Sequence, residues 1–256
     1  MLTVGTSGWQ YRDWRGAFYP PKLAQARWLE HYAMHFPTVE ANSPFYRLPE
    51  RTTFEQWAAR TPEGFTFAVK ASRYLTHVRR LRDPADPVAL LLARAAGLGS
   101  KLGPVLLQLP PTLTVDLARL EETLAAFPPS VRVALEPRHE SWHTDPVYDL
   151  LRGRDVALCL WDRRSRHGPL VRTAGWCYLR LHEGRTVRPP CYGRRALTTW
   201  AERLAERWGE GADGYVYFNN DARACAVRDA QTFVRLAGSV GLRCAAPAAT
   251  DTSRDG

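Results

Sequence analysis

The chain has 256 residues, with 35 Lys and Arg against 26 Asp and Glu and a net charge of +9. One α/β barrel of ordinary size would use that length, no apolar run is long enough to span a bilayer, and the basic balance suits an anionic partner. No Gly/Ser- or Pro-rich linker divides the sequence, so one domain is expected over residues 1–245, with 246–256 as a flexible tail.

The first strand, Leu2 to Thr6, begins immediately after Met1, which leaves no room for a signal peptide and predicts a cytoplasmic protein. It opens into Ser7, Gly8 and Trp9, then an aromatic loop with Tyr11, Trp14, Phe18 and Tyr19. A helix follows from about Ala24 to Phe36, with Trp28, Leu29, Tyr32, Ala33 and Phe36 at helical spacing. His31 and His35 sit four apart on it, but no Glu follows His31 as a zinc-protease helix requires, so they are read as surface residues.

The second strand, Thr38 to Ala41, leads into Asn42-Ser43-Pro44-Phe45-Tyr46-Arg47, and a helix is expected near Thr53 to Arg60. The third strand, Phe65 to Val69, ends at Lys70 and is followed by Arg73, His77, Arg79 and Arg80. The next helix, Pro84 to Leu98, stops at Gly99. Strand four is Pro104 to Leu109, and its helix follows a Thr114 cap. Strand five, Val131 to Leu135, ends in Glu136-Pro137-Arg138-His139, and a short helix covers Asp145 to Leu151. Strand six is Val156 to Trp161. Asp162 to Gly175 lacks helical period and is expected to be mostly irregular. Strand seven, Cys177 to Leu181, carries Arg180 and leads to His182 and Glu183, with a helix from Ala196 to Trp208. Strand eight, Gly214 to Phe218, ends in Asn219-Asn220-Asp221 before a last helix, Ala222 to Ala237.

Eight buried strands alternating with helices indicate a parallel sheet. Eight repeats predict closure into a single (β/α)8 TIM-type barrel. No GxGxxG or Walker motif favours an open nucleotide-binding sheet. The five cysteines include no CxxC pair and predict reduced, structural thiols rather than a zinc site.

Composition sharpens the search for a site. Arg outnumbers Lys 32 to 3, Asn occurs three times and Ile never. All three Asn (Asn42, Asn219, Asn220), and Lys70 among the lysines, fall at expected strand ends, where a chain that avoids these types has kept them.

Seven blocks, in order GTSGW with YRDW, VEANSPFYRLP, FAVKASRYLTHVRRL, LGPVLLQLPP, LEPRHESW, YLRLHE and YVYFNND, resemble the YecE-like family (domain of unknown function 72) from Gly5 to about Asp229. The resemblance implies a TIM-type barrel and supplies no reaction. Two positions depart from it: Pro137 stands where an aromatic residue is more usual, and Glu183 follows His182 where Gly is usual.

On a barrel, the strand-end groups converge at the C-terminal mouth. Glu40, Lys70, Glu136, His139, Arg180 and His182 are the candidate catalytic residues. Glu40 or Glu136 would move a proton, and Lys70 and Arg180 would stabilise developing charge. Lys70 would act as an amine if desolvated. The plainer alternative pairs Glu136 with Arg180 and Glu40 with Lys70 as structural bridges. Substrate contacts are expected from Ser7, Trp9, Tyr11, Asn42, Tyr46, His77, Arg138, Asn219, Asn220 and Asp221, with Trp9, Tyr11, Trp14, Phe45 and Tyr46 as a stacking wall. Asp221 would otherwise cap the last helix, and His139 would pack on Trp142.

An enzyme acting on a phosphate-bearing anion, a nucleotide or a nucleic-acid strand, satisfies both the cations and the aromatics. A non-catalytic nucleic-acid-binding protein is the alternative. A glycosidase would need two suitably spaced carboxyls, about 5 to 9.5 Å apart. No cofactor is expected. Glu136-x-x-His139 faintly echoes metal-dependent barrels, but Arg180 would repel a divalent metal ion. The sequence leaves oligomeric state open.

Overall fold

The computed structural model describes residues 1–164, 166–184, 189–209 and 211–248. Its ten described strands are β1 (Leu2–Ser7), β2 (Thr38–Ala41), β3 (Thr66–Lys70), β4 (Leu102–Gln108), β5 (Val133–Glu136), β6 (Ala157–Leu158), β7 (Leu160–Arg163), β8 (Arg166–His167), β9 (Cys177–Glu183) and β10 (Gly214–Phe218). They form one mixed α/β sheet in the order β6-β5-β4-β3-β2-β1-β10-β9-β7-β8. Every pairing is parallel except that of β7 with β8. The sheet curls. Its two ends are held together in the chain, because Cys159 alone separates β6, which pairs with β5, from β7, which pairs with β9.

Helices α1 (Trp28–Ala33), α2 (Ser43–Tyr46), α3 (Arg51–Ala59), α4 (Ala85–Ala95), α5 (Leu117–Ala125), α6 (Asp145–Gly153), α7 (Arg194–Trp208) and α8 (Cys225–Ser239) connect the strands. Alternation along each strand sorts side chains between two cores. Val105, Leu107, Val133, Leu135, Leu179 and Leu181 face the helices and join the large outer core. Ala68, Leu106, Ala134, Tyr178 and Tyr217, one residue out of phase, form a second cluster within the curl with Trp176. The same parity turns Glu40, Lys70, Gln108, Glu136, Arg180 and His182 inward above that cluster.

Gly5 occupies a position on β1 where a Cβ would lie 2.2 Å from the Thr38 carbonyl oxygen on neighbouring β2. Backbone cannot yield there without breaking the ladder. Gly5→Ala is therefore expected to cost about 1–3 kcal/mol, the usual range for overpacking. Urea unfolding would read it, and an unchanged midpoint would refute the close approach.

Several expectations shift. The predicted Thr114 cap is replaced by Asp116, whose carboxylate accepts from the Arg119 N–H at 3.1 Å and lets α5 begin at Leu117. The segment after strand six is not wholly irregular. Asp162 and Arg163 pair antiparallel with His167 and Arg166 in a short hairpin, too brief to leave a period-2 signature. The last helix starts at Cys225, after a 3-10 turn at Ala222–Ala224. Tyr74–Val78 forms a π-helical turn on the third loop that the sequence did not announce. Cys191 and Cys225 form a disulfide, so the expectation of reduced cysteines holds only for Cys159, Cys177 and Cys244. Residues 249–256 of the predicted tail lie outside the described residues.

Candidate functional site

The inward face can be built layer by layer. At the base, Trp176, Tyr178 and Tyr217 fill the curl and are essentially inaccessible. Above them lie three charged side chains buried without solvent contact of note: Glu40 and Glu136 at 0% exposure and Arg180 at 2%. Arg180 spans the two acids. Its Nη2 donates to Glu40 Oε1 at 2.8 Å and its Nη1 to Glu136 Oε2 at 2.6 Å. Tyr178 donates its hydroxyl to Glu40 Oε2 at 2.6 Å, and Gln108 Nε2 donates to Glu136 Oε2 at 2.9 Å. Charges survive such burial only when paired and hydrogen-bonded.

The pairing fixes the protonation states. Burial by itself pushes both carboxyls up. For Glu40 this is outweighed by Arg180 and by the hydrogen bond from Tyr178, and its pKa falls below the ordinary value. For Glu136 burial is outweighed by Arg180, His182 and Arg138, and its pKa falls well below. Both acids are ionised at neutral pH. A glycosidase needs one of its two carboxyls held as an acid, and this floor holds neither.

The upper layer opens to solvent through a polar cavity of about 260 Å³, lined by Lys70, Gln108, Arg138, Arg163, Arg180, His182, Glu183 and Asn219. Arg138 Nη2 lies 2.6 Å from Glu136 Oε1, the oxygen that Arg180 leaves unbonded. His182 Nε2 is 3.5 Å from the same oxygen. Asn219 Nδ2 meets His182 Nδ1 at 2.9 Å. Nε2 also lies 3.5 Å from Arg138 Nη2, so the ring faces Asn219 on one side and the Arg138–Glu136 pair on the other. Burial lowers the His182 pKa, against the pull of Glu136 and with help from Arg180 and Arg138, so the ring is neutral. Glu183 is paired with Arg163 at 3.1 Å and Arg164 at 2.5 Å. Lys70 is 8% exposed, and its ammonium rests 4.0 Å above the Phe45 ring.

Other predicted residues go elsewhere. Ser7 is buried in register with Glu40, and its hydroxyl has no hydrogen-bond partner among the described residues. His139 turns its Nδ1 to the Ser141 N–H at 3.1 Å and starts a 3-10 turn, so it is not part of the cavity lining. Trp9 packs edge-on against Trp57. Tyr11 donates to the Ser7 carbonyl at 2.5 Å, and buried Trp14 donates to the Asp221 carbonyl at 2.7 Å. These three aromatics pack the first loop rather than forming a stacking wall. The Asn42 side-chain oxygen is buried without a protein partner. His77 stands edge-on to Phe45 at 5.0 Å.

Asn220 donates to Asp229 at 2.7 Å and to the Pro190 carbonyl at 3.0 Å, which is a structural task. Asp221 makes no side-chain cap and lines an adjoining cavity of about 410 Å³ with Arg164, His182 and Arg223. Tyr46 is 80% exposed at the rim. The sequence reading did not single out Tyr178, Arg163 or Arg164. Tyr178 could have been found by stepping two residues back from Arg180. The arginines were hidden by the hairpin. Among the described residues, no three His, Cys, Asp or Glu side chains gather at a point that could hold a metal ion. No described helix is long and apolar enough to cross a membrane.

Fold and site together define a class: a curled, almost wholly parallel α/β sheet carrying a buried Glu–Arg–Glu layer beneath a cationic cavity at its strand ends. The chain belongs to the DUF72 family, whose model, "Protein of unknown function DUF72", matches residues 3–252. It is 33% identical to the UPF0759 protein YunF of Bacillus subtilis (strain 168), over 92% of this chain and 94% of that one. It is 31% identical to the UPF0759 protein YecE of Escherichia coli (strain K12), over 65% of this chain and 61% of that one. The crystal structure of a DUF72 family protein from Thermotoga maritima MSB8 is similar with a TM-score of 0.80 and 27% identity, covering 92% of this chain and 98% of that chain. A DUF72 family protein from Enterococcus faecalis V583 shares the fold at a TM-score of 0.77 and 18% identity, covering 93% of this chain and 96% of that one.

Proposed function

We propose that this protein is an enzyme acting on a phosphate-bearing anion, bound in the cavity above the Glu–Arg–Glu layer. The sheet is then a single-domain eight-unit barrel over residues 1–245, with β6 and β7 as two halves of one strand. The observation that carries the reading is the charge of the lining. Lys70, Arg138, Arg163 and Arg180 face one carboxylate, Glu183, which two arginines already engage. Glu40 and Glu136 offset the charge of Arg180 and part of that of Arg138, but with Glu183 they are three acids against Lys70, Arg138, Arg163, Arg164 and Arg180, so a positive excess remains. Arg138 offers a guanidinium fork suited to phosphate, and Gln108 and Asn219 add amides.

A thermal-shift series at low salt tests this, because surface charge effects are strongest there. The panel holds inorganic phosphate, sugar phosphates, nucleotides, short oligonucleotides and neutral oligosaccharides. A ligand at 100 times its Kd adds about 2.7 kcal/mol. Phosphorylated compounds are expected to stabilise the protein, and Arg138→Ala to remove most of the shift. Equal stabilisation by neutral sugars would overturn the reading.

A second reading, nucleic-acid binding without catalysis, is favoured by one observation. Tyr46 and Tyr74 are 80% and 53% exposed and share a groove of about 490 Å³ with Arg79. Such rings can stack on unpaired bases. Under this reading only oligonucleotides would stabilise the protein, steeply less so with added salt.

A further inference from the structure

Lys70 differs from the arginines around it. Arg138, Arg163, Arg164 and Arg180 each hold a carboxylate. Among the described residues Lys70 has no ion pair or hydrogen bond, only the Phe45 ring 4.0 Å below its ammonium. The acids that would neutralise it are committed to Arg180, and the cavity is open to its amine. Burial, then Arg180, lower its pKa to about 8, with Arg138 adding to them and Glu40 and Glu136 opposing. His77, across the same Phe45 ring, is held below its usual value by burial and by Lys70 itself, so it adds no positive charge at neutral pH.

Among the described residues, the other lining groups that titrate near neutral pH or below are engaged. His182 gives Nδ1 to Asn219 and turns Nε2 toward Glu136, and Glu183 is bridged twice. Lys70 is left as the one lining group with both a titratable proton and an unengaged nitrogen. A pKa of about 8 leaves roughly a tenth of the amine free at pH 7, some hundreds of times more than an ordinary lysine.

We propose that Lys70 is a nucleophile that condenses with a carbonyl of the bound substrate to form an imine. This rests on the anion-binding reading above and narrows it: the phosphate-bearing substrate also carries an aldehyde or ketone. The amine lone pair attacks the carbonyl carbon. One N–H proton passes to the carbonyl oxygen, giving a carbinolamine. Loss of that hydroxyl with the second N–H proton releases one water and leaves the C=N bond. No oxidant or reductant enters. Substrate phosphate would sit toward Arg138, keeping the amine free for the carbonyl.

Trapping with sodium cyanoborohydride reads the imine directly. The intact protein would be incubated with glyceraldehyde 3-phosphate or with glyceraldehyde, digested, and mapped by mass spectrometry. Two internal controls are present: Lys22 is exposed, and Lys101 donates to the Ala58 and Thr61 carbonyls at 2.6 Å each. The expected result is a reduced adduct on Lys70 formed about 100-fold faster than on Lys22, in line with its larger free-amine fraction. Its rate should rise through pH 8, and the phosphorylated aldehyde should react faster. Lys70→Arg should abolish this adduct while the slow labelling of Lys22 persists.

The outcomes separate the two claims. Labelling of Lys70 no faster than Lys22 would overturn the imine, while continued stabilisation by phosphate would leave the anion site standing. Fast labelling of Lys70 by both aldehydes alike would support the imine and remove the argument for a phosphate site.

Discussion

Arg180→Met is expected to destabilise the protein by about 3–5 kcal/mol, the cost of leaving buried charge without its partner. The guanidinium sits between two carboxylates that solvent does not reach, so one substitution strands Glu40 and leaves Glu136 with Arg138 as its cation. The pH dependence should reverse with it. In the native protein Glu40 and Glu136 titrate below their unfolded values, so their stabilisation is present above about pH 4.5 and is lost as pH falls through the folded values. Without Arg180, burial dominates at Glu40 and raises its folded value, while Glu136 keeps Arg138 and His182. Stability should then increase as pH falls toward 5, because protonation of Glu40 removes the stranded charge. Adding Glu40→Gln to Arg180→Met should recover much of the loss. Urea titrations of the three proteins at pH 5 and 7.5 decide the matter. If the single variant matches the native protein at both pH values, the layer is not a coupled unit.

Loss of the Cys191–Cys225 bridge is the second large effect expected. The two cysteines are 34 residues apart, and closing a loop of that length restricts the unfolded chain by about 4 kcal/mol on the loop-entropy model. The bridge joins the segment after β9 to the start of α8. That segment also ties Tyr192 N–H to Asp229 at 2.7 Å and the Tyr192 hydroxyl to Asp162 at 3.0 Å. These bonds keep part of the loop in place, so a measured loss of about 2–4 kcal/mol is expected. Cys191→Ala/Cys225→Ala should lower the urea midpoint, and dithiothreitol should lower the native midpoint equally while leaving the variant unmoved. A native midpoint insensitive to reductant, in a protein whose thiols titrate as free, would show that the bridge does not form in solution.

The sequence was informative about direction and weaker about reach. Apolar runs such as Val105 to Leu107 marked the strands, and period-2 alternation placed Glu136, Arg180 and His182 on the inner face. It could not say that Arg180 would meet both acids. The expected pairing of Glu136 with Arg180 forms, but that of Glu40 with Lys70 does not. The long guanidinium decided it by spanning the curl, which left Lys70 over Phe45. The aromatic loop misled for a related reason. Trp9, Tyr11 and Trp14 have the composition of a stacking wall, yet their polar atoms find backbone partners or their rings find Trp57, so they pack inward. The hairpin at Arg163 to His167 and the pairing of Cys191 with Cys225 left no periodic trace, because each depends on where distant segments meet.

The aromatic plug under the charged layer has a consequence for traffic. Trp176, Tyr178 and Tyr217 are buried beneath the charged layer, so the polar cavity has no path through the curl by way of these side chains. Whatever enters must leave on the strand-end side, by this cavity or by the one adjoining it. Two products leaving by the same cavity would be released in order, the outer one first, and an excess of that outer product would hold back the inner one.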